Sequence, residues 1–385
     1  MVPRIIEVLR WTVLVPLAVF TLRRLIFTLA AALPARDCRT GYAPSVAVIV
    51  SVRNEEANLP CLLKAFDRLE FPREKRNFVF VNDASSDGTS RILHEWIRLH
   101  SNARLLEFNV SEGKARALGR ALDASPKTEL VAVYDGDLTP HPASLGILAA
   151  VFKDERVGAA AGFRRPSNAA TNPITAYGAL ESFVHQLVTQ AAKERLGLNP
   201  TTLGGNCVYR RSALAEIGGF RPGAFSEDIE ASLALVAAGW RTRFCRDALA
   251  ECLLVSSLRR YWNQRARWTR GIYHSAKKAP QPESWLVSAG YSDRLLFLAA
   301  LALAAAGQIS LVWPALYLLA PAMTIATALW RADADRRLTA RILLWAVPMF
   351  VVDIAATVAA TVNAVLQRRL EWPTGSNQAL DRSLP

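Results

Sequence analysis

Two stretches near the C-terminal end of the chain limit the folds that this sequence can adopt. Residues 295–330 contain no charged side chain, and residues 342–366 contain only one, Asp353. A helix of about 20 apolar residues is long enough to span the hydrocarbon core of a bilayer. Both stretches exceed that length, and a buried helix of a soluble protein seldom runs so far without a charge. The sequence therefore predicts membrane helices within residues 291–370, followed by a tail at 371–385.

The number of these helices depends on how residues 295–330 fold. The stretch is too long for one straight helix and only just long enough for two, and Gln308, Ser310 and Pro314 favour a turn near its middle. With that turn the chain has three C-terminal spans and its tail lies outside the cell. With one long helix the tail stays inside. We expect three spans.

The first 40 residues also contain an apolar run, which Arg23 and Arg24 interrupt. We expect one membrane helix from about Ile5 to Leu22, followed by a segment that lies at the membrane surface. A pair of interfacial amphipathic helices is the alternative. A cleaved secretory signal is not expected, because Pro34-Ala35-Arg36-Asp37 is a poor cleavage site.

The formal net charge is +13, and the arginines cluster beside the predicted membrane segments. This distribution is typical of cytoplasmic flanks that meet anionic lipid. We therefore expect a multi-pass protein of the plasma (inner) membrane whose soluble domain is cytoplasmic, with membrane lipids as partners. Nucleic acid is not an expected partner, because no recognition motif accompanies the charge. The five cysteines are odd in number and lack Cys-x-x-Cys spacing, so reduced thiols are expected rather than disulfides or a zinc site.

Residues 41–255 have a different pattern, in which short apolar runs rich in β-branched residues alternate with helical ones. Such alternation predicts a doubly wound parallel sheet, and ligands of these sheets bind at the carboxyl ends of the strands. Residues 256–290 then form an interfacial amphipathic region. The predicted strands are Val46–Val52, Phe78–Val81, Leu105–Phe108 and Leu130–Tyr134, and the predicted helices are Glu55–Leu69, Ser90–His100, Lys114–Asp123, Ser182–Leu196, Ile229–Ala238 and Ser256–Tyr273.

Acidic residues follow two of the predicted strands directly. Asp83 ends Val81-Asn82-Asp83, and its carboxylate can accept the imide N–H of a uracil ring; an Asx-turn and helix cap is the alternative. Asp135 and Asp137 flank a glycine after the strand that ends at Tyr134. Two carboxylates so placed can hold Mg²⁺ or Mn²⁺ on a diphosphate, since hard cations bind oxygen ligands. Two acids in a surface turn are the simpler interpretation.

Two further motifs lie downstream. Glu227-Asp228 opens a helix, where a carboxylate either caps the helix or deprotonates an acceptor hydroxyl. Gln264-Arg265-Ala266-Arg267-Trp268 lies on a basic helix. In that string Arg267 can pair with diphosphate oxygens and Trp268 can face a sugar ring. An interfacial helix with snorkelling arginines and belt aromatics explains the same composition.

In this order, the motifs resemble those of the membrane-embedded family-2 glycosyltransferases, which include the chitin-oligosaccharide, poly-N-acetylglucosamine, hyaluronan and cellulose synthases. The resemblance covers about residues 44–278. It implies a GT-A-like (Rossmann-like) α/β domain and inverting, metal-dependent transfer from a UDP-sugar, UDP-GlcNAc or UDP-Glc, to a growing β-linked glycan, as in exopolysaccharide synthesis. Transfer of one sugar to a membrane lipid is the alternative, since the membrane portion is small for a polymer channel. A non-catalytic membrane protein that binds nucleotides or anionic lipid is the alternative from another class.

The resemblance also implies a role for each site residue. Asp83 binds uracil, with Glu55 and Lys114 near the nucleotide, and Asn82 stands where some members have another Asp. By the same resemblance, Asp135 would lie by the ribose and diphosphate and hold the metal together with Asp137. Asp228 would be the base, with Glu227 beside it in the substrate site. Gly205 and Asn206 would belong to a turn that lines the acceptor site, and the diphosphate and the acceptor end would be bound by Gln264, Arg267 and Trp268.

Overall fold

The computed structural model describes residues 2–34, 38, 41–223, 226–278 and 295–365. Its centre is one eight-stranded sheet. The strands are β1 (Val46–Val52), β2 (Arg76–Asp83), β3 (Ala103–Phe108), β4 (Leu130–Asp135), β5 (Thr139–Pro140), β6 (Val157–Pro166), β7 (Cys207–Arg210) and β8 (Arg241–Cys252). Their order across the sheet is β3-β2-β1-β4-β7-β6-β8-β5.

Thirteen α-helices and one π-helix surround the sheet or extend from it in the described residues. They are α1 (Val2–Ala32), α2 (Leu59–Asp67), α3 (Thr89–Ile97), α4 (Lys114–Ala124), α5 (Ser144–Ala150), α6 (Pro173–Phe183), the π-helix Val184–Gln190, α7 (Ala191–Leu196), α8 (Arg211–Glu216), α9 (Glu227–Ala237), α10 (Leu258–Lys278), α11 (Leu295–Ala305), α12 (Val312–Arg331) and α13 (Arg336–Val365).

The first four strands form the predicted parallel half of the sheet. β1 pairs in parallel with β2 and β4, and β2 pairs in parallel with β3. β1, β2 and β4 are almost fully buried, as expected when helices cover both faces of a parallel sheet, whereas β3 at the edge is only partly buried. In the register, Ser51 lies opposite Asp135 and Val52 lies opposite Asn82. The carboxyl ends of β1, β2 and β4 therefore meet at one edge of the sheet.

The second half is mixed rather than parallel, which corrects the prediction of an all-parallel sheet. β7 runs antiparallel to both β4 and β6, and β8 runs parallel to β6. After β6 the chain passes through α6, the π-helix and α7, and it re-enters the sheet at the edge where it left. Strands β6 and β8 consequently end, and β7 begins, at the same edge as the acidic ends of β2 and β4.

Helix α1 does not end at Leu22, as the sequence predicts, but continues to Ala32. The two arginines are accommodated inside the helix, because the guanidinium of Arg23 lies 4.5 Å from the Phe27 ring and that of Arg24 lies 5.1 Å from the Tyr317 ring of α12. Such contacts let an arginine bury its stem while its charge is stabilised by a ring face. The predicted end of the helix at Leu22 is therefore wrong.

The predicted turn within residues 295–330 is present, and it separates α11 from α12. The described part of α11 has 11 residues, about 16 Å of helix, which is shorter than the length that spans a bilayer. Helices long enough and apolar enough to cross a membrane cover Ile6–Ala32, Val312–Arg331 and Arg336–Val362 in the described part of the chain. Two C-terminal helices, rather than the expected three, thus have spanning length there.

Helices α1 and α12 pack side by side and run in the same direction. Arg10 donates a hydrogen bond to Gln308 just before α12, and the Thr28 and Thr324 hydroxyls lie 2.8 Å apart further along. Both helices therefore end at the side where the sheet domain lies. The tail at 371–385 and the segment 279–294 lie outside the described residues.

Candidate active site

Asp83 lies at the end of β2 and is almost completely buried. Its carboxylate accepts hydrogen bonds from the Ser111 hydroxyl at 2.7 Å and from the backbone N–H groups of Glu112 and Gly113 at 2.7 and 3.1 Å. Arg53, after β1, in turn donates to Ser111 at 2.8 Å. The carboxylate thus fixes the loop 111–113, which leads directly into α4 and Lys114.

Glu55 follows β1 and lies beside the turn after β4. Its carboxylate accepts a hydrogen bond from Asn58 at 2.8 Å, and a Cβ on Gly136 would come within 2.9 Å of its side chain. Burial and, to a lesser extent, the nearby Asp137 and Asp135 carboxylates raise the pKa of Glu55 to about 8, while the Asn58 hydrogen bond opposes the shift. The turn therefore concentrates negative charge, and a carboxyl group there holds its proton near neutral pH.

Lys114, at the start of α4, joins two predicted site residues. Its ammonium lies 2.6 Å from Oδ1 of Asp135 and 2.8 Å from Oε1 of Glu227. Burial opposes the charged forms, but the attraction wins, so the pKa of Lys114 is raised and that of Asp135 is lowered. Since Asp135 ends β4 and Glu227 opens α9, this ion pair connects the sheet to the helix that carries Asp228.

The glycine turn before β7 passes against these carboxylates. A Cβ on Gly205 would lie 2.7 Å from Oδ2 of Asp135, so only glycine fits without displacement. Gly204 has φ +86° and its backbone faces the carboxylate of Asp228, which would lie 3.4 Å from an added Cβ. That conformation favours glycine, which lacks the Cβ that clashes at positive φ. The turn therefore brings backbone close to Asp135 and Asp228 together.

The side chain of Asn206 points away from this edge. It is fully buried, accepts a hydrogen bond from the Ser144 hydroxyl at 2.9 Å, and donates to the backbone of Ala248 at 2.8 Å. Its backbone has φ +54°, a conformation that asparagine tolerates better than most residues. Asn206 thus shapes the turn from the core of the protein, and its amide does not line the site.

Asp228 lies in the first turn of α9. Burial and, to a lesser extent, the neighbouring Glu227 carboxylate raise its pKa to about 6, while the Lys114 and Arg164 charges and a hydrogen bond from the Ile229 backbone oppose the shift. Ser226, not Asp228, is the residue before the helix, and no side chain caps that end. Asp228 is therefore not the residue that would cap the helix, and a carboxylate that titrates near pH 6 suits a general base.

The helix α10 brings its motif to the same region. The positive charge of Arg267 contributes to the lowered pKa of Asp135, so Arg267 lies within electrostatic reach of that carboxylate. Gln264 and Trp268 are partly buried, and the guanidinium of Arg265 lies 4.8 Å from the Trp268 ring. One face of the indole is thus occupied by an arginine of its own helix.

Arg164 is a site residue that the sequence analysis missed. It lies near the end of β6, and its Nη1 atom is 3.8 Å from Oδ2 of Asp135. Its Nε atom is buried without a hydrogen-bond partner, and its charge also lowers the pKa of Asp228. The signal was the charged pair Arg164-Arg165 at the end of an otherwise apolar run, which is unusual for a strand buried inside a sheet.

Asp137 is the residue best placed to take a cation. Within the described ranges no group of three or more His, Cys, Asp or Glu side chains forms a complete metal cage. Mg²⁺, however, is usually held by one or two carboxylates with phosphate oxygens and water supplying the rest. Asp137 lies one glycine away from Asp135, and both carboxylates act electrostatically on the nearby Glu55, so negative charge is concentrated where a cation would bind. The donor set therefore fits a divalent ion bound together with a diphosphate.

The family described as glycosyltransferase like family 2 matches residues 43–271, more than half of the chain. The chain belongs to that family, which confirms the predicted enzyme class.

Similar proteins include a probable glycosyltransferase, YdaM, from Bacillus subtilis, 30% identical over 59% of this chain and 55% of its own. An N-acetylglucosaminyltransferase from Rhizobium leguminosarum is 28% identical over 72% of this chain and 69% of its own. A beta-monoglucosyldiacylglycerol synthase from Trichormus variabilis is 27% identical over 60% and 50%. The chain thus spans between half and about two thirds of these relatives' lengths.

Among solved structures, a mannosyltransferase from Pyrobaculum calidifontis, in complex with GDP-Man and Mn²⁺, superposes with a TM-score of 0.63. It covers 96% of this chain and 100% of its own at 22% sequence identity. At that identity the likeness concerns the fold. It confirms the predicted GT-A-like α/β domain.

Proposed function

We propose that this protein transfers a sugar from a UDP-sugar, UDP-GlcNAc or UDP-Glc, to an acceptor hydroxyl with inversion at the anomeric carbon. The observation that carries the proposal is the placement of Asp228. This carboxylate has a pKa of about 6 and faces the glycine turn, next to the cluster of Lys114, Asp135 and Glu227. A single base at one side of the site matches a direct displacement, which inverts the anomeric carbon.

In this mechanism Asp228 accepts the proton of the acceptor hydroxyl as its oxygen attacks the anomeric carbon. Positive charge beside Asp135 supports departure of the UDP. Lys114, Arg164 and Arg267 all act electrostatically on Asp135, at the strand end where we propose the diphosphate lies. Fixed charges that meet the charge developing on a leaving group lower the barrier without reorganisation. Asp83 and Glu55 would hold the uracil and ribose end.

Asp137, with Asp135, would hold Mg²⁺ or Mn²⁺. When bound, such an ion supplies Lewis-acid stabilisation of the diphosphate. Lys114 already occupies one oxygen of Asp135 at 2.6 Å. We therefore assign Asp137 as the principal metal ligand and Asp135 as the residue that shares charge between the ion and Lys114.

We propose that the enzyme is a multi-pass protein of the plasma (inner) membrane with its catalytic domain in the cytoplasm. Three arginines support this orientation, because they lie where α1 and α12 end beside the domain. Arg195 donates to the backbone of Leu33 at 2.8 Å, and Arg246 donates to the backbone of Arg331 at 2.5 Å. Basic residues at the end of a span favour the cytoplasmic side.

The acceptor that we propose is the end of a growing β-linked glycan. The aromatic, basic helix α10 supports it, since Trp268 offers an aromatic surface beside Arg267, and sugar rings pack on such surfaces. The names of two relatives agree with sugar addition of this kind: the Rhizobium leguminosarum N-acetylglucosaminyltransferase and a poly-beta-1,6-N-acetyl-D-glucosamine synthase from Staphylococcus epidermidis.

A membrane lipid that receives one sugar is the second candidate acceptor. The observation in its favour is the small number of spanning helices, three in the described part of the chain, because a long glycan in transit needs a channel wall around it. The Trichormus variabilis relative is named as a glycolipid synthase.

A donor screen followed by sizing of the product tests both acceptors. The full chain in lipid nanodiscs is incubated with Mg²⁺ or Mn²⁺ and each common labelled UDP-sugar, and UDP release is measured. A ladder of products supports the glycan acceptor, and a single lipid-soluble product supports the lipid. Absence of UDP release with every donor, in a preparation that binds UDP, contradicts the proposed function.

A further inference from the structure

Asp353 is the one acidic residue in the middle of α13, and its side chain is fully buried. It lies inside a candidate membrane span, Arg336–Val362. An ionisable group at such depth costs several kcal/mol unless it is paired, and it marks a functional position more often than a structural one. Its partners therefore indicate what the residue does.

The partners of Asp353 come from two helices of the catalytic domain. The Tyr261 hydroxyl, on α10, donates to Oδ1 at 2.9 Å, and the Tyr177 hydroxyl, on α6, donates to Oδ2 at 3.4 Å. Nε of Arg265, also on α10, lies 3.6 Å from Oδ1. Burial raises the pKa of Tyr261, so this phenol keeps the proton that it donates.

Arg265 is held on every side. Its Nη2 atom makes an ion pair with Glu181 of α6, and its guanidinium lies 4.7 Å from the Tyr261 ring and 4.8 Å from the Trp268 ring. The side chain is 7% exposed. Arg265 therefore fixes both the rotation of α10 and the orientation of Trp268, and its neighbours in the motif, Gln264 and Arg267, follow.

We infer that Asp353 and Arg265 form a positioning pair through which the membrane helix α13 sets the orientation of α10 at the active site. The inference rests on the proposed function, in which Arg267 and Trp268 meet the diphosphate and the acceptor end. Arg265 is a positioning residue in this account and touches no substrate. Because Arg265 and Asp353 are both buried, water is excluded from the pair and the relative orientation of the two side chains is fixed.

Stability alone explains this pair poorly. A buried ion pair often contributes little net free energy of folding, because desolvation offsets the attraction, whereas it defines one geometry sharply. A hydrophobic residue at position 353 would fill the helix contact at lower cost. What the carboxylate adds is a fixed distance between α13 and the two polar ends of Tyr261 and Arg265.

The test compares Asp353→Asn with a matched variant, Thr28→Val, in nanodiscs. Thr28 makes a buried polar contact between membrane helices, 2.8 Å from Thr324, and it does not contact α10. We expect Asp353→Asn to lower kcat by about tenfold or more, the range caused by small misplacement of catalytic groups, and to raise the Kd for UDP, because Arg267 then meets the diphosphate less well. Thr28→Val should leave both values unchanged. A kcat for Asp353→Asn within twofold of the wild type overturns the inference.

Three further measurements keep the test informative. Hydrogen exchange of the backbone amides at 264–268 should accelerate in Asp353→Asn and not in Thr28→Val. Unchanged exchange in Asp353→Asn overturns the inference. Because this measurement needs no turnover of a UDP-sugar, it separates failure of the inference from failure of the proposed function. The double variant Asp353→Asn with Arg265→Gln should lose less than the product of the single losses. Where Asp353→Asn does not fold, Tyr261→Phe removes one hydrogen bond to the same carboxylate and should give a smaller loss of kcat.

Discussion

The ammonium nitrogen of Lys114 lies 2.6 Å from Oδ1 of Asp135, at the point where α4 meets the end of β4. The same nitrogen lies 2.8 Å from Glu227, next to the proposed base. One positive charge therefore stabilises the carboxylate at the proposed diphosphate site and lowers the pKa of Asp228. The binding of the donor and the protonation of the base are coupled through this side chain.

Replacing Lys114 should move the pH dependence of catalysis. Asp228 must be deprotonated to act as base, so kcat in the wild type should rise as the pH passes about 6, its pKa in the structure. Lys114→Met removes a charge that lowers this pKa, so the rise should move to higher pH, with kcat at pH 7 reduced about tenfold or more. Lys64→Met, on the exposed side of α2, serves as control. A rise at the same pH in Lys114→Met and the control contradicts the coupling.

Glu55 should make the protein less stable as the pH rises. Its pKa in the folded chain is about 8 against an ordinary value of 4.5, so the folded state binds the proton more tightly than the unfolded state. The free energy of unfolding should therefore fall between about pH 4.5 and pH 8. Glu55→Gln resembles the protonated form, so its Tm should depend less on pH than that of the wild type. At pH 8, without nucleotide or metal, the Tm of the variant should be higher than the Tm of the wild type. Glu95→Gln, at the surface of α3, should keep the wild-type dependence of Tm on pH. If Glu55→Gln keeps that dependence too, the raised pKa of Glu55 is refuted.

Asp137 should govern the metal requirement. Chelation of divalent ions should abolish UDP release, and Mg²⁺ or Mn²⁺ should restore it. In Asp137→Asn the metal concentration for half-maximal rate should rise about tenfold or more, because the ion loses its main protein ligand. The matched control is Asp123→Asn, on the exposed surface of α4. Equal metal dependence in the two variants excludes Asp137 as the ligand.

Asp83 should control the loop that delivers Lys114. In Asp83→Asn one charge-assisted acceptor of three hydrogen bonds becomes a neutral amide, which should destabilise the protein by about 2 kcal/mol and raise the Kd for UDP. Asp67→Asn is the control, since Asp67 accepts a hydrogen bond from Trp96 away from the loop 111–113. Differential scanning fluorimetry and UDP titration measure both effects. A UDP affinity equal to that of the control would falsify the role of Asp83.

Local pattern predicts the parallel half of this fold and much of its site. Asp83 and Asp135 end strands, parallel strands share a carboxyl edge, and these two facts bring the residues together without knowledge of the rest. The antiparallel entry of β7 has no such local signal, because it depends on where α6 and α7 pack against the membrane helices. For that reason the alternation of strands and helices predicts a parallel sheet and gives no sign of the reversed strand.

Some residues have positions or roles that differ from the sequence-based expectation, and these depend on contacts between segments that are distant in the sequence. Arg164 meets Asp135 only because β6 lies two strands from β4. The Asn206 side chain turns into the core because its amide oxygen accepts a hydrogen bond from Ser144 and its amide nitrogen donates one to the backbone of Ala248. The positioning role of Arg265 is not predicted, because nothing near it in the sequence indicates a contact with Asp353, 88 positions away. Charge in an apolar run, as at Arg164 and Asp353, was the one local sign available.

The most direct test of the account is Asp228→Asn, with Glu230→Gln, two residues further along α9, as control. We expect the asparagine variant to lose transfer by about a thousandfold, the scale of a missing general base, while its Kd for UDP stays within about twofold of the wild type. The control should transfer at the wild-type rate within a few fold. If UDP affinity falls as much as the rate does, Asp228 holds the donor and is not the base.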